Sequence, residues 1–242
     1  MQYTLEINGF SVNAQFEDSC VEHVLLPLVK RLAQMQRQAG RRIVMLLAAP
    51  PGAGKSTLAT FLALLAENLP NTPRFQALGM DGFHFPNAYL QSHIVLRQGR
   101  EVLLSQIKGA PESFDLAGLH RALALARQQG GTWPVYDRRI HDVSPRGVTV
   151  TGDVLLVEGN WLLLDAPAWQ GLPHDWAFFL SAEESQLRER LIARKMRGGR
   201  TEAEARAFYD ACDGPNVRLC LQRRLPADEQ WRMLDTGRFA RE

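Results

Sequence analysis

Six consecutive residues, Gly52-Ala53-Gly54-Lys55-Ser56-Thr57, bring together two glycines, a cation and two hydroxyls. Glycine lets successive backbone N–H groups curl into a concave nest, and a helix opening at the lysine adds unpaired donors and the positive end of its dipole. Such a nest suits phosphate. Lys55 would reach the β- and γ-phosphates of a nucleoside triphosphate, and the Ser56 hydroxyl would ligate Mg²⁺. The flanks fit this chemistry. Ile43-Val44-Met45-Leu46-Leu47-Ala48 reads as a buried strand, and Leu58, Phe61, Leu62 and Leu65 recur at helical spacing. The full pattern is G-x-x-x-x-G-K-[ST]. Ala49 stands at its first glycine, where a negative φ would tolerate the methyl group. A dinucleotide-binding turn is not expected, because Thr57 stands where the third glycine of G-x-G-x-x-G would be.

Two carboxylates follow strand-like runs. Phe75 to Met80 leads into Asp81, which at a strand's carboxyl end could accept a proton from an acceptor hydroxyl or hold Mg²⁺ through water. Asp153 to Val157 leads into Glu158, where an acid can orient Mg²⁺ or its water. Trp133 to Asp142 mixes polar and aromatic residues, Tyr136, Arg138 and His141 among them, and reads as a pocket wall. A helix expected after Trp176–Leu180, with Ser181 and Glu184 as a capping box, carries Arg188, Arg190, Arg194, Lys195, Arg197 and Arg200. Gly198-Gly199 offers a hinge, and a hinged basic helix suits a lid over triphosphate charge.

These residues need a scaffold. Residues 2–16 alternate around Asn8-Gly9 as a hairpin, and Val21 to Gln38 forms an amphipathic helix that tolerates Pro27 near its start. Residues 1–40 thus read as a hairpin-plus-helix appendage, and 41–242 as the nucleotide domain. The appendage either packs on the core or offers a partner surface, a homodimer being one such use. Residues 88–107 read as largely helical. Asp115 caps a helix from Leu116 to Gln129, Val148–Val150 is a strand, and Asp213-Gly214-Pro215-Asn216 is a turn before a helix reaching Arg224. Trp231–Leu234 and Arg238-Phe239 flank Asp235-Thr236-Gly237 as a terminal hairpin.

Composition narrows the class. The 242 residues are 45% hydrophobic and 22% charged, ordinary for a globular protein, and the net charge of +2 does not by itself imply nucleic acid or an anionic membrane. Three cysteines without a C-x-x-C pair fit a reducing compartment. No signal-like start and no apolar run of membrane-spanning length is seen, so a cytoplasmic location is expected.

The order of the motifs carries a resemblance. The Gly52–Ser56 loop, Met80-Asp81-Gly82-Phe83-His84, Lys108-Gly109-Ala110-Pro111-Glu112-Ser113-Phe114-Asp115, Pro134-Val135-Tyr136, Glu158-Gly159 and the arginine helix together resemble the P-loop kinases grouped as uridine kinase, pantothenate kinase and phosphoribulokinase. The likeness spans roughly residues 42–235. It implies an α/β, three-layer P-loop NTPase fold with a mostly parallel sheet and a helical lid, and ATP with Mg²⁺ as cofactors. It implies Asp81 as catalytic base, Lys55 and Ser56 on phosphate and metal, and Arg190, Arg194 and Arg197 reaching the phosphates through the R-L-x-x-R pattern. Tyr136 and His141 match acceptor-site residues, and His84 lies in the Asp81 motif on the same side. Where pantothenate kinases carry His and Tyr, this chain carries Arg138 and His141, so no member's substrate carries over whole. Arg138 is expected to face the pocket and Arg139 the solvent, which suits a sugar-like acceptor bearing an acid or phosphate. The rival is a nucleotide-gated regulator without a small-molecule acceptor. It would not need the Asp81, Tyr136 and His141 wall, and no guanine-reading motif is present. Nucleic acid is not expected as a partner, since the basic residues cluster in one helix without interleaved aromatics.

Overall fold

The computed structural model describes residues 2–7, 9–97, 99–235 and 237–242. Alternating residues at the start pair as the antiparallel strands β1 (Gln2–Ile7) and β2 (Phe10–Gln15), with Ile7 opposite Phe10. Of the expected Asn8-Gly9 turn, Asn8 lies outside the described residues, and Gly9 has a φ of 82°. Helix α1 (Asp18–Cys20) passes through a π-helical turn (Val21–Leu25) into α2 (Leu26–Ala39). The wide turn, closed by the Leu26 N–H on the Val21 carbonyl, comes just before Pro27, which has no N–H to continue an α ladder.

Next come β3 (Ile43–Ala48) and α3 (Lys55–Glu67), followed by β4 (Phe75–Gly79) and a 3-10 turn (Met80–Phe83). Helix α4 (Asn87–Ser92), the hairpin β5 (Ile94–Arg97) and β6 (Arg100–Leu103), and α5 (Leu116–Gln128) lie between this half and the next. Short strands β7 (Gly131–Trp133), β8 (Tyr136–Asp137), β9 (Asp142–Val143) and β10 (Val148–Val150) pair as two small ribbons, β7 with β10 and β8 with β9. Then β11 (Val154–Gly159), β12 (Trp176–Ala182), α6 (Glu184–Arg197), α7 (Glu202–Phe208), α8 (Gly214–Gln222), β13 (Glu229–Asp235) and β14 (Arg238–Arg241) complete the chain.

The central sheet has the order β14-β13-β12-β3-β11-β4, parallel throughout except for β14. Every residue of β3 is buried, as expected where helices cover both faces. Its side chains alternate between two apolar clusters. Ile43, Met45 and Leu47 meet α2, α3 and α6, whereas Val44, Leu46 and Ala48 meet Leu119 and Leu123 of α5, with Trp133 and Trp161. Burying one such large side chain stabilises by roughly 1.5–3 kcal/mol. The result is the three-layer α/β fold. The N-terminal hairpin is welded to it: Phe16 stacks on Phe61 of α3 at 3.9 Å, and Leu5, Ile7 and Ala14 join the first cluster.

Three local expectations are corrected. Residues 88–107 are helical only in α4 and a 3-10 turn (Leu104–Ile107); between them the Ile94-Val95-Leu96 run pairs with β6 across Gly99, whose φ of 76° suits a tight turn. Ser181 does not cap α6, because β12 runs on through Ala182 and the Ser181 hydroxyl donates to the Trp231 carbonyl. The reciprocal capping box is Thr201 with Glu204, at the start of α7. Asp213 to Asn216 is not a turn. A π-helical turn (Tyr209–Asp213) joins α7 to α8, and Pro215 sits in the first turn of α8, where a missing N–H costs little. Finally, β13 and β14 do form a hairpin, but β13 also pairs in parallel with β12 and so belongs to the core sheet; Thr236 lies outside the described residues.

Candidate active site

Three neighbouring strands, β3, β11 and β4, end side by side, and each delivers one part of the site from its carboxyl end. After β3 comes the glycine loop. Gly52 and Gly54 adopt φ of 85° and 84°, in the left-handed region that glycine enters without penalty, and Gly54 is the N-cap of α3. A Cβ on Gly52 would lie 3.1 Å from Leu191, so the loop also packs tightly under α6. Ala53 is buried and Thr57 half-buried in the first turn of α3. Ala49 is buried and takes no positive φ, so the methyl group in place of the first glycine causes no strain.

At the end of β11, Glu158 is buried and accepts a 2.6 Å hydrogen bond from the Ser56 hydroxyl; Lys55 Nζ lies 4.0 Å from its other oxygen. Burial pushes the Glu158 carboxyl up, against the opposing pull of Lys55 and Ser56. These are oxygen donors beside an ammonium, a set that fits a hard divalent cation bound together with phosphate. Among the described residues no group of three or more His, Cys, Asp or Glu could hold a metal on its own, so a cation here would take most of its ligands from phosphate and water.

Beyond β4, Asp81 sits in the 3-10 turn with 28% of its side chain exposed to the cleft. Arg138 Nη2 lies 3.8 Å from its Oδ2. Burial works against the Asp81 charge, yet His84, Lys55, Arg138 and Arg194 together outweigh it and hold the carboxyl below its ordinary range. His84 is itself driven towards the neutral form by burial, so the permanent charges of Lys55, Arg138 and Arg194 matter most. The His84 ring donates from Nδ1 to the Asp81 carbonyl at 3.0 Å, since a carbonyl can only accept, and packs between Phe114 at 3.9 Å and Tyr136 at 5.4 Å. Desolvation raises the Tyr136 phenol to about 12, leaving it a neutral donor.

The arrangement joins some expected residues and separates others. Arg138 turns into the cleft towards Asp81, whereas Arg139 forms a bidentate pair with Asp137 and is 68% exposed. Arg194 is exposed on α6; desolvation lowers its pKa, with Arg138 adding to the effect, and its charge favours the ionised form of Asp81. Arg190 instead directs Nη1 to the Met233 sulfur of β13, and Arg197 is exposed at the end of α6. Leu187, Leu191 and Ile192 are buried, so α6 is anchored along that stretch, and its end packs on α7, with Lys195 Nζ 3.7 Å and the Arg200 guanidinium 4.6 Å from the centre of the Phe208 ring. The His141 residue is exposed, with φ of 52°; its carbonyl, not its ring, makes the recorded contacts, with Asn87 and Lys108. Sequence reasoning gave no role to Lys108 or to Asp213. Lys108 opens a motif that was recognised, and Asp213 hid in an assumed turn although its carboxylate faces Lys195, Arg194 and Arg200.

A cavity of about 370 Å³ lies behind the Met80–Phe83 turn, lined by Phe83, His84, Arg121, Leu125, Trp133 and Pro134. It is lined by none of Lys55, Ser56, Asp81 and Glu158; Gly82, which does line it, packs so closely on the Pro134 carbonyl that a Cβ there would clash.

A solved structure from Silicibacter sp. TM1040, described as a candidate fructose transport system kinase, superposes with a TM-score of 0.68 at 32% identity, covering 83% of this chain and 98% of that one. The pantothenate kinase of Bradyrhizobium sp. (strain ORS 278) is 30% identical over 79% of this chain and 67% of its own length. The chain belongs to the pantothenate kinase-like P-loop kinases. The chain is also 42% identical to the uncharacterized protein YggC of Escherichia coli (strain K12), over 99% of this chain and 98% of that protein. It spans about half the length of several other pantothenate kinases that it matches. No family model matches the sequence.

Proposed function

We propose that this protein uses ATP and Mg²⁺ to phosphorylate a hydroxyl of a small polyhydroxylated metabolite, a sugar or sugar acid carrying an anionic group. One observation carries the reading: Asp81, just past the end of β4 and two strands from the phosphate loop, has its carboxylate 3.8 Å from the Arg138 guanidinium, with Lys55 and Arg194 also favouring its charge. The glycine loop and the N-terminus of α3 would hold the triphosphate, with Lys55 on its terminal phosphates. Ser56 and Glu158 would hold Mg²⁺, whose role when bound is to neutralise charge on the phosphate oxygens. Asp81 would orient the acceptor hydroxyl and take its proton. A loose transition state asks little of base strength, so a carboxylate of depressed pKa can serve. Arg194 would stabilise charge on the phosphoryl group in flight, and Tyr136, His84 and Arg138 would line the acceptor. The guanidinium of Arg138 favours a carboxylate or phosphate on that acceptor.

The neighbour described as acting in fructose transport supports a sugar, and the curated relatives make pantothenate the compound to test against it. The test is ADP release by the purified chain with ATP and Mg²⁺ against sugars, sugar acids, uridine, cytidine and pantothenate, one at a time. Turnover of a sugar or sugar acid above that of the other three supports the reading. Preference for pantothenate or a nucleoside contradicts the acceptor class and leaves kinase chemistry standing. Hydrolysis that no acceptor stimulates favours the nucleotide-gated regulator.

A further inference from the structure

We infer that Lys108 is the positioning residue of the acceptor wall, acting by clamping the β8–β9 ribbon to the body of the fold. The inference rests on the reading that Tyr136 and Arg138 face the acceptor.

The ribbon is short. Tyr136 and Asp137 pair with Val143 and Asp142, and among the described residues no further strand pairs with them. A two-stranded ribbon of this size has little stability of its own in water, yet it carries two groups that must be held within a fraction of an ångström to serve phosphoryl transfer. Lys108 supplies what the ribbon lacks. Its Nζ donates to the His141 carbonyl at 2.7 Å and to Asn87 Oδ1 at 2.6 Å, and it lies 5.0 Å from the centre of the Tyr136 ring. One ammonium therefore touches the ribbon's turn, the first residue of α4 and the face of the acceptor tyrosine.

The partners are arranged to receive it. His141 takes a left-handed φ of 52°, a region that histidine enters more readily than most residues with a side chain, and its carbonyl accepts from both Lys108 Nζ and Asn87 Nδ2. Asn87 accepts from Lys108 and donates to that same carbonyl, closing a three-membered network. Next in sequence, Asp142 accepts the Asn87 backbone N–H, at 3.1 and 3.3 Å to its two oxygens, and so fixes the start of α4 to the ribbon. The Asp142 charge also opposes the loss of charge that burial would cause at Lys108. The backbone of Lys108 is placed in turn by a chain of contacts. Gly109 takes φ of 98°, its N–H donates to the Ser113 hydroxyl at 3.0 Å, and its carbonyl accepts from the Trp161 indole at 3.0 Å. Hence Lys108 ties the ribbon to the second apolar cluster, where Trp161 is fully buried.

The test compares the full-length chain with Lys108→Met and Lys108→Arg. Three readouts are taken: ATP affinity, steady-state constants, and amide hydrogen exchange over residues 136–143. D-fructose is the acceptor probe, replaced by the best-turned-over sugar or sugar acid of the panel if fructose is not phosphorylated. The expected result for Lys108→Met is a KM for the acceptor at least tenfold higher, ATP affinity within twofold of wild type, and exchange over 136–143 at least tenfold faster. Lys108→Arg, which keeps two donors on one cation, should recover part of both losses. An unchanged acceptor KM with unchanged exchange would overturn the proposal. So would equal loss of ATP and acceptor binding, which would mark general unfolding. If the wild-type chain phosphorylates no member of the panel, the reading of the reaction fails by itself, and the exchange measurement still decides whether Lys108 holds the ribbon.

Discussion

On the proposed reading, the phosphate end and the acceptor end of the cleft are built on opposite principles. At the phosphate end, two neighbouring parallel strands buried along their whole length, β3 and β11, hold the loop, Ser56 and Glu158, with 7% of the Glu158 side chain exposed. At the acceptor end, Tyr136 and Arg138 come from a ribbon of two-residue strands, and Arg138 meets Asp81 only at 3.8 Å. The difference teaches where the invariant part of the chemistry lies. A triphosphate and its cation are the same in every cycle, so backbone donors and buried strand ends can be fixed in the core. An acceptor site has to change from one substrate to another, and side chains on a short ribbon can change without disturbing the sheet.

Substitutions break this comparison in graded order. Lys55→Ala is expected to have the largest effect, lowering turnover by roughly 10³-fold or more and weakening ATP affinity, because a cation facing the phosphates is lost; calorimetric ATP titration with an ADP-release assay checks both. Arg194→Gln comes next, with a loss of about 10–100-fold in kcat that exceeds its effect on ATP affinity, if the guanidinium acts on charge that develops only in the transition state. An equal loss in both would mark it as an ordinary electrostatic contact. Arg138→Ala belongs to the acceptor end alone, and should raise acceptor KM about tenfold, the cost of a lost charge-assisted hydrogen bond, while ATP binding stays as it was. His141→Gly should do least, changing kcat and acceptor KM by less than about threefold, since the ring is exposed and glycine accepts the positive φ at no penalty. A large rise in KM there would return the imidazole to the site.

The same contrast governed what could be read from the sequence. The β3–loop–α3 unit is local: six apolar residues, two glycines and a Lys-Ser pair state their own geometry, and the structure agrees with them. Asp81 and Glu158 were legible for the same reason, each being a carboxylate at the end of an apolar run. The three local misreadings arose where partners outside the local pattern decide. Ser181 looks like a helix cap until β13 is seen pairing beside it, and Gly214-Pro215 looks like a turn until the π-helical segment before it absorbs the proline. Ile94 to Leu103 has a β-branched start and one glycine at its bend, but β5 leaves Ile94 and Leu96 exposed and β6 only half-buries Val102 and Leu103, so no alternation of polar and apolar residues marks a buried face. The role of Lys108 depends on groups 21 and 33 residues away, and no local pattern announces such a contact.

The central claim is that Asp81 serves the acceptor hydroxyl and not the nucleotide. Its most direct test is Asp81→Asn, assayed at saturating ATP, Mg²⁺ and the best acceptor, with ATP affinity measured on the same preparation. Turnover should fall by roughly 10²–10⁴-fold, the range for a lost general base, with ATP affinity within a few-fold of wild type. Collapse of ATP binding with turnover of the bound complex preserved would contradict the account and make Asp81 a metal or structural residue.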